Sequence, residues 1–297
     1  MKFANREDII QLTPLWKGDR FADGRPRVSD TTIAKLRKLN VILEEAWSVC
    51  WAAGYQRQFE GNWINMHPEK ILVGRAVTGV FVPHRPDLHD TLMEYGHTEE
   101  KRIGAMNSWI IETLQKDDVP VIDLFGKVYE GTYSGANLST AIATRTGAGQ
   151  VIYGGIRDAQ QIMEIPNFCT FCKGMDPTPI RNVTLVGMSV PCRIGAAIVM
   201  PGDVVLGTYE GIIFIPAHLA DEVVENSIRT HLREQFSHSR LREGTYTSSQ
   251  MDTKWTDEIV ADFEEWRKTH KLAGIEDVDW EKETAVDREQ RRQETTI

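Results

Sequence analysis

The amino-acid sequence predicts an α/β fold, and three observations carry the prediction. From residue 71 onward, short runs rich in Val and Ile recur at strand length. Stretches with helical spacing lie between them, at about residues 104–115, 138–146 and 158–164. The chain of 297 residues is 41% hydrophobic and 26% charged, with only 4 cysteines, which suits a packed globular core. The same figures exclude collagen-like, coiled-coil, disulfide-scaffold and charge-dominated disordered classes.

Taken in chain order, the first 30 residues read as irregular, with a turn at Asp23-Gly24-Arg25-Pro26. Asp30 is placed to cap a helix through Ile33, Leu36, Leu39, Leu43 and Trp47, stopped by Gly54. Trp47 and Trp51 then share one helical face, expected to pack on the main body. Strand candidates follow at 71–73, 77–82, 119–123, 150–153, 183–190, 197–200 and 212–215. After Pro216 a long helix is expected through Val223, Ile228, Leu232, Phe236 and Leu241 to Gly244. A second amphipathic stretch carries Trp255, Ile259, Phe263 and Trp266, and the acidic tail from Lys271 reads as a solvated end.

Charge and cysteine usage narrow the setting. Lys plus Arg is 34 against 43 for Asp plus Glu, a net charge of −9, which argues against a nucleic-acid partner. The start has no apolar core of a signal peptide. The longest stretch free of charged residues, 131–144, is rich in Gly, Ser and Thr, so no membrane span is expected. Cys169 and Cys172 spell C-x-x-C without a second pair to complete a zinc site. With Cys50 and Cys192 they read as structural thiols, and a reducing cytoplasm fits. No histidine pair has metal-ligand spacing, and His84 and His89, flanking Arg85-Pro86-Asp87, read as surface histidines on a loop.

Chemistry concentrates where glycines do, between 131 and 155. No Walker A lysine and no G-x-G-x-x-G is present, so nucleotide binding is not supported. Instead a strand at 151–153 runs into Gly154-Gly155 and then Arg157-Asp158 at a helix start. The glycine pair would let backbone approach a ligand. A carboxylate at a strand's end can hold one vertex of hydrated Mg²⁺, and the adjacent Arg offers a planar fork for an oxyanion. The plain alternative is a structural Arg–Asp pair capping a helix. Upstream, Gly135-Ala136-Asn137-Leu138 opens a helix whose free N–H groups would make an anion site, or simply an N-terminal turn.

The block from Gly135 to Pro216 resembles the RraA-like family, which includes the regulator of ribonuclease activity A and class II 4-hydroxy-4-methyl-2-oxoglutarate aldolases. The segment from Gly149 to Asp158 is similar to the family's strand ending in D-G-x-x-R-D. The glycine turn and helix lie about 20 residues before it. Met200-Pro201-Gly202-Asp203-Val204-Val205 and Glu210-Gly211-Ile212-Ile213-Phe214-Ile215-Pro216 look like the family's hairpin, with Asp203 and Glu210 as turn residues. Gly74-Arg75-Ala76-Val77-Thr78 looks like its early strand.

The resemblance implies a swivelling β/β/α fold, a trimer or dimer of trimers, and a subunit-interface site with Mg²⁺ or Mn²⁺. It makes Asp158 a metal ligand and Arg157 the contact to a small 2-oxo acid. Gly135, Ala136, Asn137 and Leu138 would hold the substrate carboxylate, and Glu234 on a neighbour's C-terminal helix would support the metal. The implied reaction is retro-aldol cleavage or decarboxylation through a stabilised enolate.

Three positions depart from the family pattern. Ala136 stands where aldolase members carry Asp, Tyr153 where the strand often ends in Asp, and Thr208 where the hairpin is often acidic. A non-catalytic RraA-type binding protein is therefore the rival reading. A third is a sugar-acid lyase or hydrolase with a larger substrate, lined by Trp47, Trp51, Tyr55 and Trp63. Seven of the 8 tryptophans lie in 1–70 and 245–297. The expected organisation is thus a core at 71–244 with two helical, aromatic-rich extensions, 1–70 and 245–297, packed on it or on a neighbouring subunit.

Overall fold

The structure, a computed structural model, describes residues 3–270, so the tail from Lys271 lies outside the described residues. The chain divides into two units, Met1–Val223 and Val224–Ile297. Helices α1 (Arg6–Leu12), α2 (Asp30–Leu39) and α3 (Leu43–Ala52) precede strands β1 (Phe59–Glu60), β2 (Ile64–Asn65) and β3 (Leu72–Pro83). Then come α4 (Pro86–Thr98), α5 (Met106–Ile111), β4 (Asp118–Asp123), α6 (Ala136–Thr146), β5 (Gly149–Ile156), α7 (Ala159–Met163) and β6 (Cys169–Met175). β7 (Val183–Met188), β8 (Cys192–Ile194), β9 (Ala197–Val199), β10 (Val204–Thr208) and β11 (Gly211–Ile215) lead to α8 (Ala220–Glu243), α9 (Ser248–Met251) and α10 (Asp257–Trp266).

One mixed sheet, ordered β1-β11-β10-β3-β4-β5-β6-β2, organises the first unit, with β7 on the far half of β3. Its four middle strands, β3 to β6, run parallel. Alternation along β4 divides two cores. Val119 and Val121 face Phe171, Phe214 and the β8–β9 hairpin; Ile122 and Leu124 face Trp109, Tyr133 and Ile142 of the helical layer. The architecture is therefore hairpin, sheet and helices in three layers, the α/β arrangement expected. Each fully buried Phe or Ile in these cores contributes about 1.5–3 kcal/mol by leaving water.

Several local expectations change. The single helix expected from Asp30 is two. Ser29, not Asp30, caps α2, with its Oγ 2.9 Å from the Thr32 N–H. Asn40 then turns left-handed at φ 50°, ψ 50°, which ends the helix and buries Val41. On α3, Leu43, Ala46, Val49 and Cys50 face inward. Trp47 and Trp51 meet in a tilted pair at 5.0 Å with 40% and 48% exposure, so they do not pack on the core. The two runs at 71–73 and 77–82 are one strand. Within it Gly79 makes room for the helical layer, since a Cβ there would fall 2.3 Å from Ile110 Cδ1. Arg85-Pro86-Asp87 is the start of α4, with Pro86 at the first turn where its missing N–H costs nothing. The short α1 lies in a region read as irregular.

The expected long helix stands as α8, and Gly244 follows it at φ 71°. In the second unit, Phe236 is ringed by Trp255, Phe263 and Trp266 at centroid distances of 5.3, 5.4 and 5.7 Å. Arg240 grips Asp262 through a fork of 2.7 and 2.5 Å.

The cysteines read as structural. Cys169 and Cys172 point to opposite faces of β6, one in each core of the sheet, so the C-x-x-C cannot pair. Burial pushes both thiols up to about 11 and that of Cys50 to about 12, which leaves them unreactive.

Candidate functional site

Arg157 and Asp158 stand where β5 leaves the sheet, at the carboxyl end of the parallel strands where open α/β sheets place their ligands. The Arg157 N–H donates to the Ser134 carbonyl at 3.0 Å, which pins the strand's exit to the loop before α6. Asp158 takes φ 55°, ψ 36°, a left-handed conformation costly for a residue with a Cβ. Its carboxylate turns back toward the N-terminus of α6, where Oδ2 accepts the Ala136 N–H at 3.1 Å. Arg157 Nε lies 3.7 Å from the same oxygen.

Gly135 makes this meeting possible. A Cβ there would fall 2.3 Å from Asp158 Oδ2 and 2.9 Å from Arg157 Nε. Ala136 therefore spends its N–H on Asp158 and is not free for a substrate carboxylate in this arrangement. Asn137 is exposed, and Leu138 leans partly on the core. The first N–H with a helical acceptor is that of Ser139, bonded to Gly135 O at 3.0 Å. The amides of Asn137 and Leu138 precede it, at the positive end of the helix dipole.

The Gly154-Gly155 pair differs from expectation. What approaches it closely is this chain's own loop: Cβ atoms at 154 and 155 would lie 2.7 Å from Leu124 Cβ and 2.9 Å from Val128 O. The pair packs the strand against that loop.

Beneath the glycine turn lies a polar network that sequence reasoning missed. Gln150 Oε1 accepts from Ser134 Oγ at 2.9 Å, and its Nε2 donates to Ser139 Oγ at 3.0 Å and Thr170 Oγ1 at 3.2 Å. All four residues are buried. The network joins β5, β6, the loop and α6, so it fixes the turn relative to the strand that carries Asp158. The available signal was a Gln at the head of an otherwise apolar strand.

The donor set suits a hard, hydrated cation. Asp158 is 41% exposed, and no hydrogen bond from a described residue reaches its Oδ1. Mg²⁺ needs only one or two carboxylates and keeps its waters. Among the described residues no group of three or more His, Cys, Asp or Glu forms a metal cage. Glu234 lies on α8 in the second unit. His84 and His89 face each other at 4.7 Å, and His89 Nδ1 lies 3.2 Å from Thr184 Oγ1. The N-terminal aromatics form no single cluster: Trp47 meets Trp51, Tyr55 meets His218, and Trp63 meets Tyr153 and Phe171.

Comparison with known proteins matches residues 28–214 to the model of the RraA-like family, described as Aldolase/RraA. An uncharacterised protein of Methanocaldococcus jannaschii is 26% identical over 195 residues, covering 59% of this chain and 93% of that one. A putative 4-hydroxy-4-methyl-2-oxoglutarate aldolase of Halalkalibacterium halodurans is 29% identical over 80 residues, covering 27% of this chain and 38% of its own length. Among solved structures, Streptomyces coelicolor RraAS2, an unusual member of the RNase ES inhibitor RraA protein family, aligns with a TM-score of 0.60 at 24% identity. The alignment covers 72% of this chain and 100% of that one. An uncharacterised Pseudomonas syringae protein aligns at 0.61 with 19% identity, over 79% of this chain and 97% of its own. These likenesses establish the three-layer fold.

Proposed function

The chain belongs to the RraA-like family, and on that premise we propose that it is a divalent-metal-dependent carbon–carbon lyase acting on a small 2-oxo acid. The observation that carries this reading is the strained Asp158, its carboxylate held by the Ala136 N–H and flanked by Arg157 in a space only Gly135 leaves open. Asp158 would hold Mg²⁺ or Mn²⁺ through Oδ1, and the ion when bound would supply Lewis acidity at the substrate's keto oxygen. The amides of Asn137 and Leu138 bind the substrate carboxylate. Arg157, 42% exposed, turns its guanidinium N–H groups to the oxyanion that develops as the carbon–carbon bond breaks. Asp158 in turn orients Arg157.

In this reading the complete site forms in a homotrimer or dimer of trimers in the cytoplasm, with Glu234 delivered by a neighbouring protomer. Retro-aldol cleavage and oxaloacetate decarboxylation both pass through a pyruvate enolate, so one site serves both. The test is pyruvate release from oxaloacetate and a panel of 4-hydroxy-2-oxo acids, with each metal. Release that vanishes in Asp158→Ala while the oligomer survives supports the reading; no release from any substrate sinks it.

One observation favours a second reading, a non-catalytic RraA-type binding protein. Ala136 places a methyl group beside Asp158 where aldolase members have a carboxylate, so no side chain there relays a proton. Inactivity combined with co-purification of an RNA-degrading complex would establish this alternative.

A further inference from the structure

The first unit holds a cavity of about 310 Å³ that shares no lining residue with the Asp158 site. Its outer wall is Leu12, Pro14, Leu15 and Trp16, which precede residue 28, where the family match begins. Its floor is Met200, Asp203, Pro216 and Ala217, at the root of the β10–β11 hairpin. Leu12, Leu15 and Ile198 are about half exposed here, at 50%, 57% and 49%, so the wall presents open aliphatic surface.

One edge is polar. The Tyr55 hydroxyl lies 3.5 Å from His218 Nε2, at the outer limit of a hydrogen bond, so each retains capacity for another partner. Gln58 spends its Nε2 on the Ile198 and Phe214 carbonyls at 3.1 and 2.8 Å, which leaves its Oε1 as an acceptor. Trp16 gives its N–H to Asp19 O at 2.7 Å and so offers the cavity only its apolar ring. Asp203, buried in the floor, accepts the N–H groups of Met200 and Ala217 at 2.8 and 3.3 Å. No Lys or Arg is among the described residues lining the space. An anion would therefore meet a buried carboxyl group and no lining Lys or Arg.

We propose that this cavity binds a neutral aromatic molecule of one ring bearing a single hydroxyl, a phenol or aromatic alcohol. The ring lies in the apolar space between Leu15, Trp16 and Ile198, and the hydroxyl joins the Tyr55–His218 edge. The volume is at the lower end for small-molecule sites, roughly 300–1,000 Å³, which suits one ring with a short substituent. The ligand class differs from the anionic substrate proposed at Asp158, and the inference stands without that reading.

Isothermal titration of the full chain with para-ethylphenol tests it. Para-ethylanisole, para-toluate and para-methylbenzylamine serve as probes without the hydroxyl or with either charge. Saturable binding of the phenol, with each of the others at least several-fold weaker, is expected. Ile198→Trp, which fills the space, should weaken the phenol at least about tenfold, and Tyr55→Phe about three- to tenfold, the value of one net hydrogen bond. Leu15→Trp is the second filling variant should Ile198→Trp misfold by circular dichroism. Absence of saturable binding, tighter binding of the toluate or the amine, or unchanged affinity in a folded filling variant would each overturn the proposal. Dissociation of an oligomer by the filling variants would overturn it too, by showing that a second copy covers this wall.

Discussion

Asp158 Oδ2 and the Ala136 N–H meet at 3.1 Å across 22 positions of sequence, so the strand end and the helix start form one unit. Gly135→Ala should break that unit with little loss of fold, because φ −117° is open to any residue and only the new Cβ conflicts. A displacement near 1 Å at a reacting group costs about 100-fold, and a fall of that size in kcat/KM is expected in steady-state lyase assays.

Asp158→Asn keeps the size and an acceptor for Ala136 but removes the charge. Mn²⁺ affinity, followed by titration calorimetry, should fall at least about tenfold while the melting temperature changes little. Unchanged affinity would place the metal elsewhere.

Gln150→Leu would leave the Ser134, Ser139 and Thr170 hydroxyls buried without their shared partner. A stability loss of about 2 kcal/mol or more is expected from urea unfolding. Activity should fall further than stability predicts, since the glycine turn loses its anchor.

Arg25 and Asp118 form a buried fork, with Nη1–Oδ1 at 3.0 Å and Nη2–Oδ2 at 3.2 Å, that ties the N-terminal segment to β4. Arg25→Met strands the carboxylate and should cost about 3–5 kcal/mol in chemical denaturation. Adding Asp118→Leu should recover part of the loss, because the stranded charge goes with it.

Asp203 gives stability a pH slope. Burial pushes its carboxyl from 3.8 up to about 7, so between those values the folded state holds a proton the unfolded state has lost. Its contribution is full below the unfolded value and declines as pH rises through about 7. Asp203→Asn should flatten that decline in unfolding free energies measured from pH 4 to pH 8, whatever its effect on absolute stability.

Much of the layout was legible in the sequence. The Val/Ile runs marked β4, β5, β7 and β11 because buried parallel and core strands need apolar residues on both faces. The helical spacing of apolar residues from Val223 to Leu241 marked α8, and Gly244 marked its end, because both signals are local. Arg157-Asp158 and the glycine turn were legible from local spacing as separate pieces, and only the family resemblance joined them into one site.

What the chain does with glycines, prolines and tryptophans was decided by neighbours far along the sequence. Gly79 reads as one more residue of the run at 77–82, yet it is a socket for Ile110; Gly154-Gly155 reads as room for a ligand, yet it admits the loop at Leu124 and Val128. Trp47 and Trp51 show a stripe but not which side the core lies on. Local spacing by itself determined the elements, since backbone periodicity depends on adjacent residues. Only the tertiary structure decided that Gly135, Ala136, Arg157 and Asp158 share one small space, because that meeting depends on the order of strands in the sheet and on the Gln150 network beneath it.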